Sequence, residues 1–269
     1  MNLHERIRNT LLESLNRDEN DRIGQLNDSL RLLAKWRSVL VQNTLLKHEG
    51  TRVLNGPFKG MQFLERSSEG CHIAKLMGCY EQPLFSHIEK AISEDYEVVL
   101  NVGSAEGYYA VGMARRMPNC KIFAFDTDRD AQTACVKLAK MNNVADQIEV
   151  GGTFKPENFS RFENKRTLFI CDIEGAEQEL LDPEKFSGLQ NLSLIVESHE
   201  CIRPGITDLL VSRFSPFHSI IKVDDDGSRS LEETPDWFKE LAHLDQILAN
   251  WEWRSGPTPW LIMKPKTHA

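Results

Sequence analysis

From residue 98 onward the apolar positions fall into short unbroken runs, separated by stretches with helical spacing. Val98-Val99-Leu100, interrupted by Asn101 and closed by Val102, is the first run, and Gly103 and Gly107 follow it at once. A run without alternation is a strand buried on both faces, as in a parallel sheet covered by helices. Tyr109 to Met117 then carries apolar residues at helical spacing, and a second run, Ile122 to Phe125, ends at Asp126. The alternation continues with a helix from Asp130 to Met141, a strand around Ile148–Val150 closed by Gly151-Gly152-Thr153, and a strand from Leu168 to Cys171. A helix carrying Leu180 and Leu181, a strand from Leu192 to Val196, a helix from Ile206 to Phe214 and a strand from His218 to Val223 follow. A helix through Trp237, Leu241, Leu244 and Leu248 precedes the last strand, Trp260 to Met263. About seven strands alternating with helices predict an α/β fold with a doubly wound, mostly parallel, Rossmann-like sheet and right-handed crossovers.

Upstream of this the pattern is helical. Leu3, Ile7, Leu11 and Leu15 recur every four residues, the polar stretch 17–20 breaks the period, and Ile23, Leu26, Leu30, Leu33, Trp36, Leu40 and Leu45 resume it. Residues 1–50 are therefore expected to form an N-terminal helical extension, read as a helical hairpin packed on the sheet. The other reading is an arm for a homodimer or a cover over the active site. In residues 51–72, Gly56-Pro57 and Gly60 punctuate β-prone residues, which predicts a small β-hairpin connector. Residues 73–269 form the main domain, entered through a helix from Leu84 to Ile92.

Charge and composition narrow the partners. A formal net charge of -8 and no long basic run argue against a nucleic-acid partner. No apolar run approaches the roughly 18–20 residues of a bilayer span, so no membrane partner is expected. The start, MNLHERIRNT, lacks the apolar core of a signal peptide. The six cysteines contain no C-x-x-C pair, which reads as reduced thiols in a cytoplasmic protein.

The candidate chemistry sits at the ends of the strands. Strand, glycine turn and helix together bring backbone N–H groups close to a ligand. Asp126, 19 residues beyond Gly107, ends the second strand, where a carboxylate can accept hydrogen bonds from a ribose diol. A dinucleotide site prefers G-x-G-x-x-G, whose middle glycine admits a pyrophosphate. Here the run is Gly103-Ser104-Ala105-Glu106-Gly107, with no middle glycine and with a carboxylate expected to repel phosphate. S-adenosylmethionine carries a sulfonium and an ammonium instead, so the loop points to it over NAD.

The loops 103–107, 126–128, 151–153, 172–177 and 197–200 all belong to the C-terminal edge of the sheet, where ligands bind in such folds. Gly103, Ser104 and Gly107 are the expected points of close approach, with Asn101 orienting the loop. Asp126 and Thr127 are expected at the ribose, Thr153 at an adenine edge, Tyr80 within reach of the cofactor and Asp172 at the methionine end. An acceptor hydroxyl benefits from a base, and His199 is the candidate, with Glu174 the alternative and Asp172 beside them. Asp172 and Glu197 end adjacent strands and could share Mg²⁺, but two separately hydrogen-bonded carboxylates are the preferred reading. The turn Asp224-Asp225-Asp226-Gly227 reads as solvated, and Trp237, Trp251, Trp253 and Trp260 as packing residues rather than a substrate wall.

Three segments, NVGSAEGYY (101–109), FAFDTD (123–128) and CDIEGAE (171–177), together with Gly78-x-Tyr80-Glu81 and Glu197, resemble a known family. The chain resembles the class I S-adenosylmethionine-dependent methyltransferases, and within them the FkbM type, over roughly residues 75 to 200. The resemblance implies methyl transfer to a hydroxyl of a small-molecule acceptor, a sugar or natural product. One position departs: Asn101 stands where the family usually has an acid, so it offers no charge to the methionine ammonium. Two other readings remain, a binding or scaffold protein that keeps the fold without catalysis, and an NAD-dependent oxidoreductase.

Overall fold

The computed structural model describes residues 2–17, 21–67, 71–162 and 164–266. The chain begins with α1 (Leu3–Leu15), α2 (Arg22–Glu49), α3 (His72–Met77) and α4 (Phe85–Ser93). It continues through β1 (Val98–Val102), α5 (Tyr108–Arg116), β2 (Lys121–Phe125), α6 (Arg129–Met141), β3 (Ile148–Gly151) and β4 (Thr167–Cys171). Then come α7 (Glu177–Leu180), β5 (Ser193–Glu197), α8 (Ile206–Phe214), β6 (His218–Val223), α9 (Asp236–Lys239), α10 (His243–Asn250) and β7 (Trp260–Pro265). The seven strands form one sheet in the order β3-β2-β1-β4-β5-β7-β6. Only β7 runs antiparallel to its neighbours, β5 and β6. The chain winds outward from β1 through β2 to β3 and then restarts on the other side at β4. The crevice between β1 and β4 is thus the switch point where ligands settle in open α/β sheets.

Each strand alternates between the two faces, and both faces are covered. Val99, Ile122, Ala124, Leu168, Ile170, Ile195 and Ile262 pack into one core with α3 to α6. Val98, Leu100, Val102, Phe123, Phe125, Phe169, Cys171, Leu194 and Val196 pack into the other, with α8. The period of two has a consequence at the strand ends. Asn101 continues the face of Val99, Asp172 that of Ile170, and Glu197 that of Ile195. Register pairs Val102 with Cys171 and Cys171 with Val196, so Asp172 and Glu197 emerge side by side.

The N-terminal extension differs from its expected seat. α2 buries Ser38, Val41 and Leu45 and packs on α3 and α10, while α1 packs on α2. Arg37 holds Asp245 of α10 through two bonds of 2.6 Å. Ile23, Leu26 and Leu30 face outward at 76%, 64% and 68% exposure, so the first half of α2 covers no strand. The polar break expected at 17–20 lies, apart from Arg17, outside the described residues. Among the described residues no helix is long and apolar enough to cross a membrane.

Three smaller expectations change. The connector has one antiparallel bridge, Arg52 to Gln62, instead of two strands. Its backbone still pairs across its own turn, Val53 N–H donating to Met61 O at 2.9 Å and Phe63 N–H to Thr51 O at 2.8 Å, while Leu54 N–H donates outward to Leu76 O at 2.9 Å. α7 is a single turn, because Pro183 biases Asp182 away from helical backbone. The helix expected through Trp237 and Leu248 is two, α9 and α10, separated by the extended backbone of Ala242. The six cysteines are unpaired, five of them buried.

α3 carries a buried histidine. His72 Nε2–H donates to Leu64 O at 2.8 Å, its Nδ1 has no partner, and burial pushes its pKa down to about 4. In the unfolded chain the same imidazole titrates near 6.5. Below that pH the unfolded state takes up a proton that the native state refuses, so stability falls as pH drops from about 6.5 to about 4. The expected loss between pH 7 and pH 5 from this group is about 2 kcal/mol. Urea unfolding at the two pH values measures it, and His72→Gln should flatten the difference. An equal pH slope in the variant would contradict this assignment.

Candidate active site

The site begins where β1 and β4 nearly touch. Gly103 has φ +76, and a Cβ there would lie 1.5 Å from Asp172 O. Gly103 N–H and Ser104 N–H both donate to Phe125 O, at 2.9 and 3.0 Å, and Asp172 N–H donates to Val102 O at 3.0 Å. No side chain fits at Gly103 without moving the end of β4. The glycine expected to spare room for a ligand is thus already required by the fold. Gly107 serves packing as well: at φ +93, its Cβ would meet Cys135 Sγ of α6 at 2.7 Å. Ala105 occupies the place of a middle glycine in left-handed backbone, φ +44. Its N–H is held by Asp126 Oδ2 at 2.8 Å, while Asp126 Oδ1 accepts from Asp128 N–H at 2.8 Å. Asp126 therefore organises the glycine loop besides facing a cavity.

Two cavities meet at this edge. The first, about 480 Å³, is mainly apolar and is lined by Gly103, Phe125, Asp126, Thr127, Thr153, Phe154, Asp172 and Glu174. The second, about 300 Å³, is lined by Tyr80, Asn101, Gly103, Ser104, Asp172, Glu174, Glu197, His199, Trp253 and Arg254, with Lys35 from α2. They share Gly103, Asp172 and Glu174. Of the residues expected from sequence, Gly107 alone lines neither cavity. Larger hollows, of about 820 and 650 Å³, lie beside α2 and the connector and hold none of these residues.

Beneath the second cavity the loop is anchored by an ion pair. Glu106 is fully buried and turned inward, where it meets Lys75 Nζ at 2.6 Å and Ser67 Oγ at 2.5 Å. Its charge faces Lys75 rather than a ligand, which removes the expectation that it would repel a pyrophosphate. Lys75 Nζ also lies 5.0 Å from the centre of the Tyr80 ring. Two groups on the cavity wall have no partner among the described residues: Asn101 Oδ1 and Ser104 Oγ make no hydrogen bond there, although the residues are only 2% and 4% exposed.

The other wall is crowded with carboxylates. β5 stops at Glu197, where Ser198 N–H donates to Pro259 O at 2.8 Å, and the following turn delivers His199. Its Nδ1–H donates to the buried Glu177 at 2.8 Å. Nε2 faces Asp172 Oδ1 at 3.4 Å, Glu174 Oε2 at 3.6 Å and Glu197 Oε2 at 3.7 Å. Burial opposes protonation of His199, but the bond it donates to Glu177 and the charges of Glu197, Glu177 and Glu174 raise its pKa on balance. Removal from water, then the charges of Glu197 and Glu81, hold the Asp172 carboxyl well above its ordinary range. Burial and Glu197 likewise push Glu81 up to about 7.

One cation ties this wall together. Arg254 binds Glu197, Glu81 at 3.1 Å, Glu252 at 3.1 Å and Thr258. Behind it Arg229 joins Glu252 and Asp225, the latter at 2.7 Å. Asp225 is therefore an ion-pair partner, while Asp224, Asp226 and Gly227 of the same turn are exposed, as expected. Trp253 packs against the core, as expected, and also lines the second cavity, while Trp260 is in the core. Arg254, Glu177 and Lys75 escaped sequence analysis, since each acts through a partner at least 22 residues away. Among the described residues, five other than glycine have positive φ, and Glu81, Ala105, Glu174 and Trp253 are four of them. Such backbone costs about 1–3 kcal/mol each and persists where the surroundings over-determine it.

No known family's sequence profile matches the chain, and no curated protein matches it. Among solved structures it is similar to the O-methyltransferase TomG of Streptomyces achromogenes in complex with SAM, at 12% identity over 71% of this chain and 82% of that one, with a TM-score of 0.47. It is also similar to an O-methyltransferase from Bacillus cereus in complex with SAH, at 11% identity over 70% of this chain and 81% of that one, with a TM-score of 0.45. Similarity of this order carries no argument for an activity.

The Lys75–Glu106 pair makes the loop testable. Lys75→Met leaves a buried carboxylate without its cation and should cost about 3–5 kcal/mol of stability. Adding Glu106→Gln should recover part of that loss. Urea denaturation measures both, and a single variant as stable as wild type would contradict the role given to the pair.

Proposed function

We propose that this chain is an S-adenosylmethionine-dependent methyltransferase acting on a hydroxyl of a small molecule, with a sugar or natural product as the acceptor class that the FkbM resemblance implies. The observation that carries this reading is the pair of cavities joined at Gly103 and Asp172. One is apolar with a carboxylate at its rim; the other holds buried oxygens without partners and an excess of acids. A nucleoside joined to a cationic amino-acid chain has those two chemistries in that order.

S-adenosylmethionine, when bound, supplies a methyl group on a positively charged sulfur. Asp126 would accept the ribose hydroxyls on lone pairs left free by its two backbone bonds, with Thr127 and Thr153 on the same cavity wall. Asn101 Oδ1 and Ser104 Oγ would accept from the ammonium. Asn101 brings no charge, but among the described residues its carbonyl oxygen has no competing donor, and the Asp172 carboxyl lies on the same cavity wall. The excess of carboxylate favours a cationic ligand and disfavours a pyrophosphate at the shared edge. An acceptor would enter beside Tyr80, Trp253 and Lys35, with His199 and Glu174 at its reacting side. Holding the acceptor in line is the main contribution such a pocket makes to the rate.

Calorimetry with S-adenosylhomocysteine and with NAD⁺ tests the reading. The chain should bind the first and not the second. Asp126→Ala, with native circular dichroism, should weaken S-adenosylhomocysteine binding by roughly 1.5–3 kcal/mol, the range for hydrogen bonds to a charged group. Comparable affinity for NAD⁺, or an unchanged dissociation constant in the folded variant, would overturn it.

A further inference from the structure

Away from the two cavities, the N-terminal hairpin carries an apolar face that this chain does not cover. Ile23, Leu26, Leu30 and Leu33 of α2 and Leu12 and Leu15 of α1 are exposed, at 39% to 76%. The two helices are antiparallel, since Trp36 Nε1–H donates to His4 Nδ1 at 3.2 Å and Gln25 Nε2–H to Arg17 O at 3.1 Å. Ser14 and Ser29 are buried at their seam. At 3.6 residues per turn, the six exposed residues stand about a third of a turn from that seam, in the same rotational sense on both helices. In an antiparallel pair this is one face. Of the twelve large apolar side chains exposed among the described residues, six lie on it, so they are not scattered singly. Together they expose on the order of 600 Å², the upper end of what a monomer shows in one patch and near the roughly 800 Å² per partner of a standard interface.

The spacing says what fits this face. The four positions on α2 are three, four and three residues apart, so the series reads alike from either end. A two-fold axis crossing α2 at its midpoint, residue 28, sets Ile23 opposite Leu33 of a second copy and Leu26 opposite Leu30. That is the self-complementarity an isologous contact requires. Eight residues along each helix from the His4–Trp36 pair lead to Leu12 and to residue 28, so Leu12 is level with the same axis. The next position of the series is Arg37, which Asp245 of α10 holds, and the stripe closes there. Glu13, Asp21 and Asp28 border the face together with Arg8, Arg22 and Arg31. Borders of both signs suit a second copy of the chain, whereas a lipid surface calls for a predominantly basic border.

We infer that the chain forms a two-fold homodimer in which two N-terminal hairpins pair, apolar face to apolar face, as a four-helix bundle. The contact does not depend on what the cavities bind.

Sedimentation equilibrium of the full chain, from low to high micromolar concentration, tests the dimer. The wild-type protein should pass from 30.8 kDa toward twice that mass as concentration rises. The double variant Leu26→Glu, Leu30→Glu sets like charges against one another across the axis and should remain monomeric. Both side chains face solvent in a single copy, so its circular dichroism should stay native. Ile221→Glu, at an exposed apolar position of β6, should dimerise like wild type. Hydrogen exchange of the wild-type chain needs no variant: amides of residues 22–35 should exchange more slowly at the higher concentration, and those of β6 should not change. A wild-type chain that stays monomeric, or a dimer that survives the double variant with residues 22–35 unprotected, would overturn the proposal. Binding of a monomeric chain to anionic phospholipid vesicles, abolished by the double variant, would overturn it in favour of a lipid surface.

Discussion

Everything in this molecule that resembles a site depends on the close approach of two strand ends. Gly103 and Asp172 are so near that a single Cβ would collide with a carbonyl, and the bond from Asp172 N–H to Val102 O closes the gap. This approach opens a cavity on each side and gives both the same edge. It also sets the height of Asp172, and through the β4–β5 register that of Glu197 beside it. Left-handed backbone at Gly103 costs glycine little and would cost any other residue considerably more.

Around that edge the protein keeps charges that would be expensive to bury singly. Lys75 with Glu106, Arg254 with Glu197 and Glu81, and Arg229 with Glu252 and Asp225 are each closed pairs or networks. Buried pairs of this kind add little net stability, but removing one partner is costly, which holds the geometry in place. The N-terminal extension belongs to the same scaffold. Ser38 of α2 donates to Leu248 O at 3.2 Å and accepts from Trp253 Nε1–H at 3.4 Å, while Lys35 covers the Trp253 ring at 5.2 Å. The strained Trp253 and the adjacent Arg254 are thus braced by residues more than 200 positions earlier. α2 is in this sense a wall of the second cavity.

The legible parts of the sequence were those governed by one local rule. Strands buried on both faces announced themselves as unbroken runs, so β1, β2, β4 and β5 lie within a residue or so of their expected bounds; the more exposed edge strand β6 and α8 match at both ends. Asn101 lies near the end of β1; Ser104, Asp126, Asp172, Glu174 and His199 follow strand ends, and strand ends converge in this class of fold. What was hidden depended on direction and on distant pairing. Glu106 reads as a loop carboxylate, and nothing local says that it turns inward onto Lys75. Glu177 is visible in the CDIEGAE segment, but its partner, His199, comes from another strand end. Arg254 sits in a stretch with no periodicity, and two of its four hydrogen-bond partners, Glu197 and Glu81, come from distant parts of the chain. The connector folds back on itself as its glycines suggest, but with one bridge and a few backbone bonds in place of two regular strands.

The most direct measurement of the central claim is a crystal structure of the chain soaked with S-adenosylhomocysteine. The account predicts one ligand spanning both cavities across Gly103, its ribose on Asp126, its adenine in the apolar cavity and its amino group near Asn101 and Ser104. A ligand bound elsewhere, or one lying in the reverse sense with its adenine among the carboxylates, would contradict it.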